Sequence, residues 1–222
     1  MKVVVFGATG MVGKGVLLEC LDDPRVTKVL TVARSSAGVR HEKLEEVLHS
    51  DFEDYTAIED KLAGYDACFF CLGISSVGMS EADYRHVTLD FTLAAAEALL
   101  KMSPGLTFIY VSGTGTDESG KSSMMWARVK GEAENRLLAM PFKAAYMFRP
   151  GVIEPRRGVV AKGTLTRVGY MIARPLFPIL RAASPGLLTT TERIGKAMIK
   201  LGLEGGDRRY FENPDINALI DG

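Results

Sequence analysis

The sequence predicts a doubly wound α/β fold around a parallel sheet, on three observations. Short β-branched runs alternate with longer stretches of helical period through the first 150 residues. The connections between those runs are long enough to cross over, which parallel neighbours require. A chain of 222 residues, 47% hydrophobic and 24% charged, has the composition of one ordinary globular domain. Disorder, collagen-like repeats and coiled coil are excluded as the main organisation.

Taken in order, MKVVVF opens the chain as a strand, and Met11 to Leu21 is a helix with Val12, Val16 and Leu17 on one face. VTKVLTVA is a second strand and LEEVLHSD a third. YTAIEDKLAG is a helix, followed by the strand DACFFCLG. Glu81 to Lys101 is one long helix, stopped by Ser103-Pro104-Gly105. LTFIYVSG is a strand, Ser123 to Ala139 a helix, and KAAYMFRPG the sixth strand of the crossover series. Beyond it, IEPRRGVVAKG reads as a loop, residues 164–182 and 191–203 as helices, and RRYFEN as a short late strand. Right-handed crossovers place a ligand crevice at the carboxyl ends of such strands.

Lys plus Arg and Asp plus Glu number 27 each, so the net charge is zero, which argues against nucleic acid as the main partner. Three cysteines make no disulfide framework. Two of them form Cys68-Phe-Phe-Cys71, but on a strand these positions point to opposite faces, so no metal or redox site is expected. A reducing, cytoplasmic compartment is the expectation. Met1-Lys2 leads straight into Val3–Phe6, too short for a secretory segment, and no apolar run suits a membrane span. Val168 to Leu188 contains Arg174, Arg181 and three prolines, and reads as a broken amphipathic segment. It covers a pocket or, alternatively, lies on a membrane surface.

Gly7-Ala8-Thr9-Gly10-Met11-Val12-Gly13 sits between the first strand and the first helix, the context of a dinucleotide fingerprint. Gly7 allows the tight turn, Gly10 the approach of a pyrophosphate, and Gly13 close helix–strand packing. The helix N-terminus adds unpaired N–H groups and a favourable dipole. The expectation is a Rossmann-like binding domain over residues 1–155, with 156–222 capping its crevice within the same compact unit. At the end of the second strand, Thr31-Val32-Ala33-Arg34-Ser35-Ser36 carries no acid for a ribose 2′-hydroxyl. Arg34, helped by Ser35 or Ser36, suits a 2′-phosphate instead, which makes NADP(H) preferred over NAD(H). The alternative is that Arg34 is a solvated loop arginine. Asp51 and Phe52 are placed near the adenine, and Cys71, Leu72 and Gly73 near the adenosine ribose.

With GATGMVG, Ser112 closing the fifth strand, Lys130 on the next helix and Arg149-Pro150-Gly151 after the sixth strand, the chain resembles the short-chain dehydrogenase/reductase superfamily. The GxxGxxG spacing is similar to its atypical and extended branches, among them epimerase/dehydratases, NmrA-type regulators and Tat-interacting-protein-like oxidoreductases. The likeness covers nearly all of residues 1–155 and fades after them. It implies a Ser-Tyr-Lys mechanism with tyrosine and lysine spaced YxxxK on one helix face. Here the stretch reads Trp126-Ala127-Arg128-Val129-Lys130, with Gly131 and Glu134 following as in the family. By position, Ser112 would polarise a substrate oxygen and Lys130 would bind the cofactor ribose. The cofactor set extends to Pro150, Gly151 and Val152. Trp126 stands where the proton donor belongs, and an indole N–H does not titrate near neutral pH. Thr88 replaces a family asparagine.

Tyr84, His86 and Tyr110 are the side chains considered as substitutes, Tyr110 also reading as core and His86 as facing elsewhere. Met124, Met125, Met147 and Met171 with Phe148 and Phe177 form either an adaptable apolar pocket or ordinary core. Arg156-Arg157 holds an anionic substrate group or is a solvated loop pair. Gly113 to Thr116 reads as a flexible loop able to close over substrate. The function expected is an NADP(H)-dependent oxidoreductase or epimerase-like enzyme acting on a small carbonyl or hydroxyl compound. The alternative is a non-catalytic NADP(H)-sensing regulatory protein.

Overall fold

The computed structural model describes residues 1–159, 177 and 186–221. Nine strands occur among them: β1 (Lys2–Phe6), β2 (Lys28–Ala33), β3 (Leu44–Leu48), β4 (Ala67–Phe70), β5 (Thr107–Val111), β6 (Ala144–Arg149), β7 (Val152–Glu154), β8 (Leu188–Thr190) and β9 (Tyr210–Glu212). Seven make one sheet in the order β3-β2-β1-β4-β5-β6-β9, with every neighbouring pair parallel. The order reverses between β1 and β4, so the crevice opens outside their carboxyl ends.

The period of two explains the layers. Val3 and Val5 face α1 (Met11–Asp22) and belong to one core with Leu17 and Cys20. Val4 and Phe6 face the other side, with Leu99 of α3 (Phe91–Met102) and Val129 of α4 (Met125–Ala139). Both faces being covered, the strands read as continuous apolar runs rather than alternating ones. The first face is completed by α5 (Thr191–Glu204), whose start is capped by the Thr190 side chain accepting from Arg193 N–H. α1 and α5 approach closely: a Cβ at Gly15 would lie 2.5 Å from Thr191 Cβ, and one at Gly195 2.7 Å from Glu19 Cγ.

Several elements differ from expectation. The third strand stops at Leu48, and the helix expected over YTAIEDKLAG is a 3₁₀ helix, Thr56–Leu62. The long helix from Glu81 is interrupted: α2 (Glu81–Arg85) runs into a π turn, His86–Asp90, before α3. Its apolar and polar residues keep helical spacing, so one inserted residue leaves no mark on the pattern. Part of the loop expected after the sixth strand is β7, paired in parallel with β8. RRYFEN joins the main sheet as β9, its seventh strand, and leads into α6 (Asn213–Asp221). The helix expected over 164–182 lies outside the described residues apart from Phe177, which is buried. The cap expected over 156–222 and the amphipathic segment 168–188 fall partly outside them too.

Candidate functional site

The glycine loop is shaped by contacts that only glycine permits. Gly7 has φ +75°, and a Cβ there would lie 2.5 Å from the Cys71 carbonyl. A Cβ at Gly13 would lie 2.2 Å from Gly7 O, so β1 and α1 meet backbone to backbone. Gly10 N–H donates to Gly7 O at 2.8 Å, closing the turn. α1 then begins at Met11 and Val12 with no side-chain cap and no acid in its first turn. That leaves its first N–H groups and its dipole directed at the crevice mouth.

A cleft of about 580 Å³ opens from this loop. Gly7, Thr9 and Gly10 form one wall, Val32 to Ser35 another, and Ser50, Phe52 and Cys71 to Ser75 the rest, with Phe91 stacked on Phe52 at 5.7 Å. Arg34, Ser35, Phe52, Cys71, Leu72 and Gly73 therefore share one cavity with the glycines. Asp51 does not: its carboxylate accepts from the N–H groups of Glu53 and Asp54, at 3.0 and 3.2 Å, and so shapes the turn. Ser36 is likewise committed, donating to Glu46 at 2.8 Å, while Ala37 N–H donates to the other Glu46 oxygen. Lys14, from the first turns of α1, donates to Ala37 O at 2.5 Å. It lines a second hollow, of about 330 Å³, with Thr9, Gly10, Ser35 and Ser36. Desolvation lowers the Lys14 pKa, and Glu46 opposes that shift.

Ser112, Lys130 and Glu134 form a buried cluster at the end of β5. Lys130 Nζ donates to Ser112 O at 2.6 Å, and Ser112 Oγ donates to Glu134 at 2.5 Å. Glu134 is fully buried and is held by Arg149, whose Nε donates at 3.0 Å and whose Nη2 donates at 2.5 Å. Arg149 also pairs with Glu118 and lies 4.3 Å over the Tyr210 ring. A hydroxyl has one proton, and here it goes to a carboxylate, so Ser112 offers a ligand only an acceptor. Burial pulls the Lys130 pKa down to about 8, with Glu134 pulling it back up. Trp126, four residues before Lys130, lays its indole against Gly115, where a Cβ would meet it at 3.3 Å.

The other candidates separate cleanly. Tyr84 and Tyr110 are each 1% exposed and burial raises both their pKa values, so neither is poised to exchange protons. His86 is exposed, 3.6 Å from Glu53 and 3.5 Å from Asp90. Thr88 sits in the π turn with its hydroxyl buried and without a partner among the described residues. Met147 and Phe148 are core residues on opposite faces of the sheet and cannot line one pocket. Met124 is exposed, Met125 packs on the core, and Met171 lies outside the described residues. Cys68 and Cys71 also belong to opposite faces, and burial raises both thiol pKa values.

The structure refines two expectations. Arg157 is exposed yet ion-paired: at φ 58° it pairs with Glu19 at 2.9 Å and Asp22 at 2.7 Å on α1. Arg156 pairs with Glu154. The Gly113–Thr116 loop is tied down, because Thr114 N–H donates to Pro150 O and Thr114 Oγ1 to Arg149 O, at 3.1 and 2.9 Å. The turn Pro150-Gly151-Val152 is held by Asn213, which accepts from Gly151 N–H and donates to Val152 O and Leu187 O. Sequence reasoning missed Asn213 and the role of Glu134. The signals were an acid one helical turn beyond Lys130, and the Asn-Pro pair that opens α6.

Comparison with known proteins follows the same outline. The sequence model of the NAD dependent epimerase/dehydratase family matches residues 3–123. Protein HTATIP2 of Rattus norvegicus is 31% identical over 223 residues, covering 98% of this chain and 88% of that protein. FMP52-1, mitochondrial, of Scheffersomyces stipitis is 26% identical, covering 99% and 98%. Among solved structures, the Bordetella bronchiseptica enzyme WbmF, in complex with NAD⁺, superposes with TM-score 0.67 at 14% identity, covering 96% of this chain and 72% of WbmF. The cytoplasmic expectation is overturned by the names of the FMP52 relatives, which are mitochondrial. Cysteine usage does not tell one compartment from another. No helix among the described residues is long and apolar enough to cross a membrane. The family pattern begins in β1, runs through the glycine loop and past Ser112, and spans more than half of the sequence; the chain belongs to the NAD dependent epimerase/dehydratase family.

Proposed function

We propose that the chain binds NADP(H) in this cleft and acts as an oxidoreductase or epimerase-like enzyme on a small carbonyl or hydroxyl compound. The observation that carries the reading is the continuity of the cleft from the glycine cradle, past Arg34 and Ser35, to the Phe52–Phe91 stack. Gly7 and Gly13 let β1, the loop after β4 and the start of α1 close up backbone to backbone, which leaves the uncapped N–H groups of Met11, Val12 and Gly13 available to a pyrophosphate. Arg34 and Ser35, with Lys14 close by, suit a 2′-phosphate, and Phe52 suits the adenine. Cys71, Leu72 and Gly73 border the same space, with Lys130, Pro150, Gly151 and Val152 completing the set towards the nicotinamide end.

When bound, the dinucleotide supplies or accepts hydride. The chain's own residues do the rest. Lys130 holds a proton at Nζ that it can release near neutrality, since its pKa lies at about 8. Ser112 meets the ligand as an acceptor, and Trp126 offers an apolar wall and one non-titrating donor. A second reading, an NADP(H)-sensing protein without this chemistry, is favoured by Trp126 and by the commitment of Ser112 to Glu134.

The test uses Trp126, the single tryptophan. Its fluorescence, titrated with NADPH and separately with NADH, should quench saturably and more tightly with NADPH. No quenching, with no heat of binding in calorimetry, refutes the cofactor assignment. NADPH consumption against a carbonyl panel then separates enzyme from sensor, with Ser112→Ala as control. Binding without turnover of any compound favours the sensor.

A further inference from the structure

We propose that Glu134 is the positioning residue of this site: it accepts the hydrogen bond of the Ser112 hydroxyl and supplies the counter-charge for the Lys130 ammonium. The inference deepens the reading above and rests on Lys130 as the cation at the nicotinamide end. A carboxylate with no exposed surface is costly unless every oxygen is satisfied. Glu134 meets that demand from β5 and β6. Ser112, after β5, donates to Oε1; Arg149, from β6, donates to both oxygens; and Lys130 stands one turn back on α4.

Ser112 lies between the lysine and the acid. Lys130 Nζ is anchored on Ser112 O at 2.6 Å, and the same serine's hydroxyl is anchored on Glu134 at 2.5 Å. One residue thus carries both ends of the link between the lysine and the acid. The other titratable groups facing the cluster include the Tyr110 hydroxyl from β5 and the Tyr210 hydroxyl from β9, both pushed up by burial, and Glu118, which binds Arg149 from the far side. Arg149 alone cannot replace Glu134, because its charge has the same sign as that of Lys130. With Glu134 neutral, nothing close offsets the desolvation that drives Lys130 towards the free amine.

The experiment follows Lys130 itself, by NMR of protein carrying ¹³C-labelled lysine, with Lys130→Arg identifying its resonance. Wild type should titrate near pH 8. Glu134→Gln should move that midpoint to acid by about one pH unit or more, roughly a tenfold loss of proton affinity. Glu134→Asp, which keeps the charge, should restore most of it. NADPH affinity read by Trp126 quenching at pH 7.5 should fall in Glu134→Gln and recover at pH 6. Should Glu134→Gln fail to fold, Glu134→Gln with Arg149→Met removes both charges of the buried pair, and a smaller acid shift of the same sign is expected, because the like charge of Arg149 is removed as well. A folded Glu134→Gln protein whose Lys130 midpoint matches wild type overturns the proposal. Absence of NADPH binding in wild type would sink the cofactor reading instead, while the lysine titration would still judge Glu134.

Discussion

Replacing Gly13 by alanine tests the cradle most directly. An ideal Cβ at Gly13 would lie 2.2 Å from Gly7 O and 2.6 Å from Gly7 C, where ordinary contact begins at 3.4 Å. The obstacle is backbone, so no side chain can swing aside; α1 and the β1 turn must part by roughly 1.2 Å. Alanine favours the helix by about 0.8–1 kcal/mol over glycine. Overpacking costs about 1–3 kcal/mol, and a rigid neighbour puts this site at the upper end, so the clash wins by about 1–2 kcal/mol. In a chain of this length that lowers Tm by roughly 2–8 °C. The same displacement spoils the pyrophosphate cradle, and NADPH affinity should fall at least tenfold, about 1.4 kcal/mol. Gly10→Ala meets Gly7 O at 3.2 Å and should lose much less stability. Thermal melts and Trp126 quenching measure the two effects. A Gly13→Ala protein that melts with wild type and binds NADPH within twofold of it would refute the reasoning.

Arg34→Ala should weaken NADPH about tenfold or more and leave NADH nearly unchanged, as read by paired fluorescence titrations. Equal losses for both would mean that Arg34 acts elsewhere. Arg157→Ala should destabilise the protein by about 1–3 kcal/mol, because Glu19 is left buried without its partner. Burial already raises the Glu19 pKa, and removal of Arg157 raises it further. The folded state then favours the protonated acid, so the deficit should shrink as pH falls and grow as pH rises through the folded pKa. Denaturant melts at pH 5 and pH 8 check that sign. Trp126→Tyr returns a titrating hydroxyl to the helix face shared with Lys130, and should create or raise NADPH-dependent carbonyl reduction. No change in a panel assay would mean that Ser112, tied to Glu134, is what limits the site.

Much of the fold was legible because its signals are local. The β-branched run before Gly7, the apolar spacing of α1 and the Ser-Pro-Gly stop after α3 each decide an element within a few residues. The glycine loop was readable for the same reason: Gly7 and Gly13 answer to a turn and a helix that adjoin them. The π turn was not, since Val87 to Leu89 keep an apolar spacing that suits either helix. Nor was the site's wiring. Ser112 was read as facing a substrate, but its direction is decided by Glu134, 22 residues on, and by Arg149, 37 residues on. Arg157 is exposed, and nothing near it in the sequence announces its ion pairs, because Glu19 and Asp22 lie near the start of the chain. Contacts of that range leave no local pattern.

Asn213 gives this arrangement a timetable. Its side chain closes the turn after β6 through Gly151, 62 residues earlier in the chain, and the strand before it, β9, covers the sheet edge at β6. During synthesis the turn and that edge must wait for those residues to emerge. At about 5–20 residues per second the interval is roughly 3–12 s. Over that time the nascent crossovers can pack while the edge of β6 stays open to other strands, including those of neighbouring nascent chains. The moment of greatest exposure thus comes late, after most of the sheet is built, and slowing translation between Gly151 and Asn213 should increase aggregation rather than relieve it.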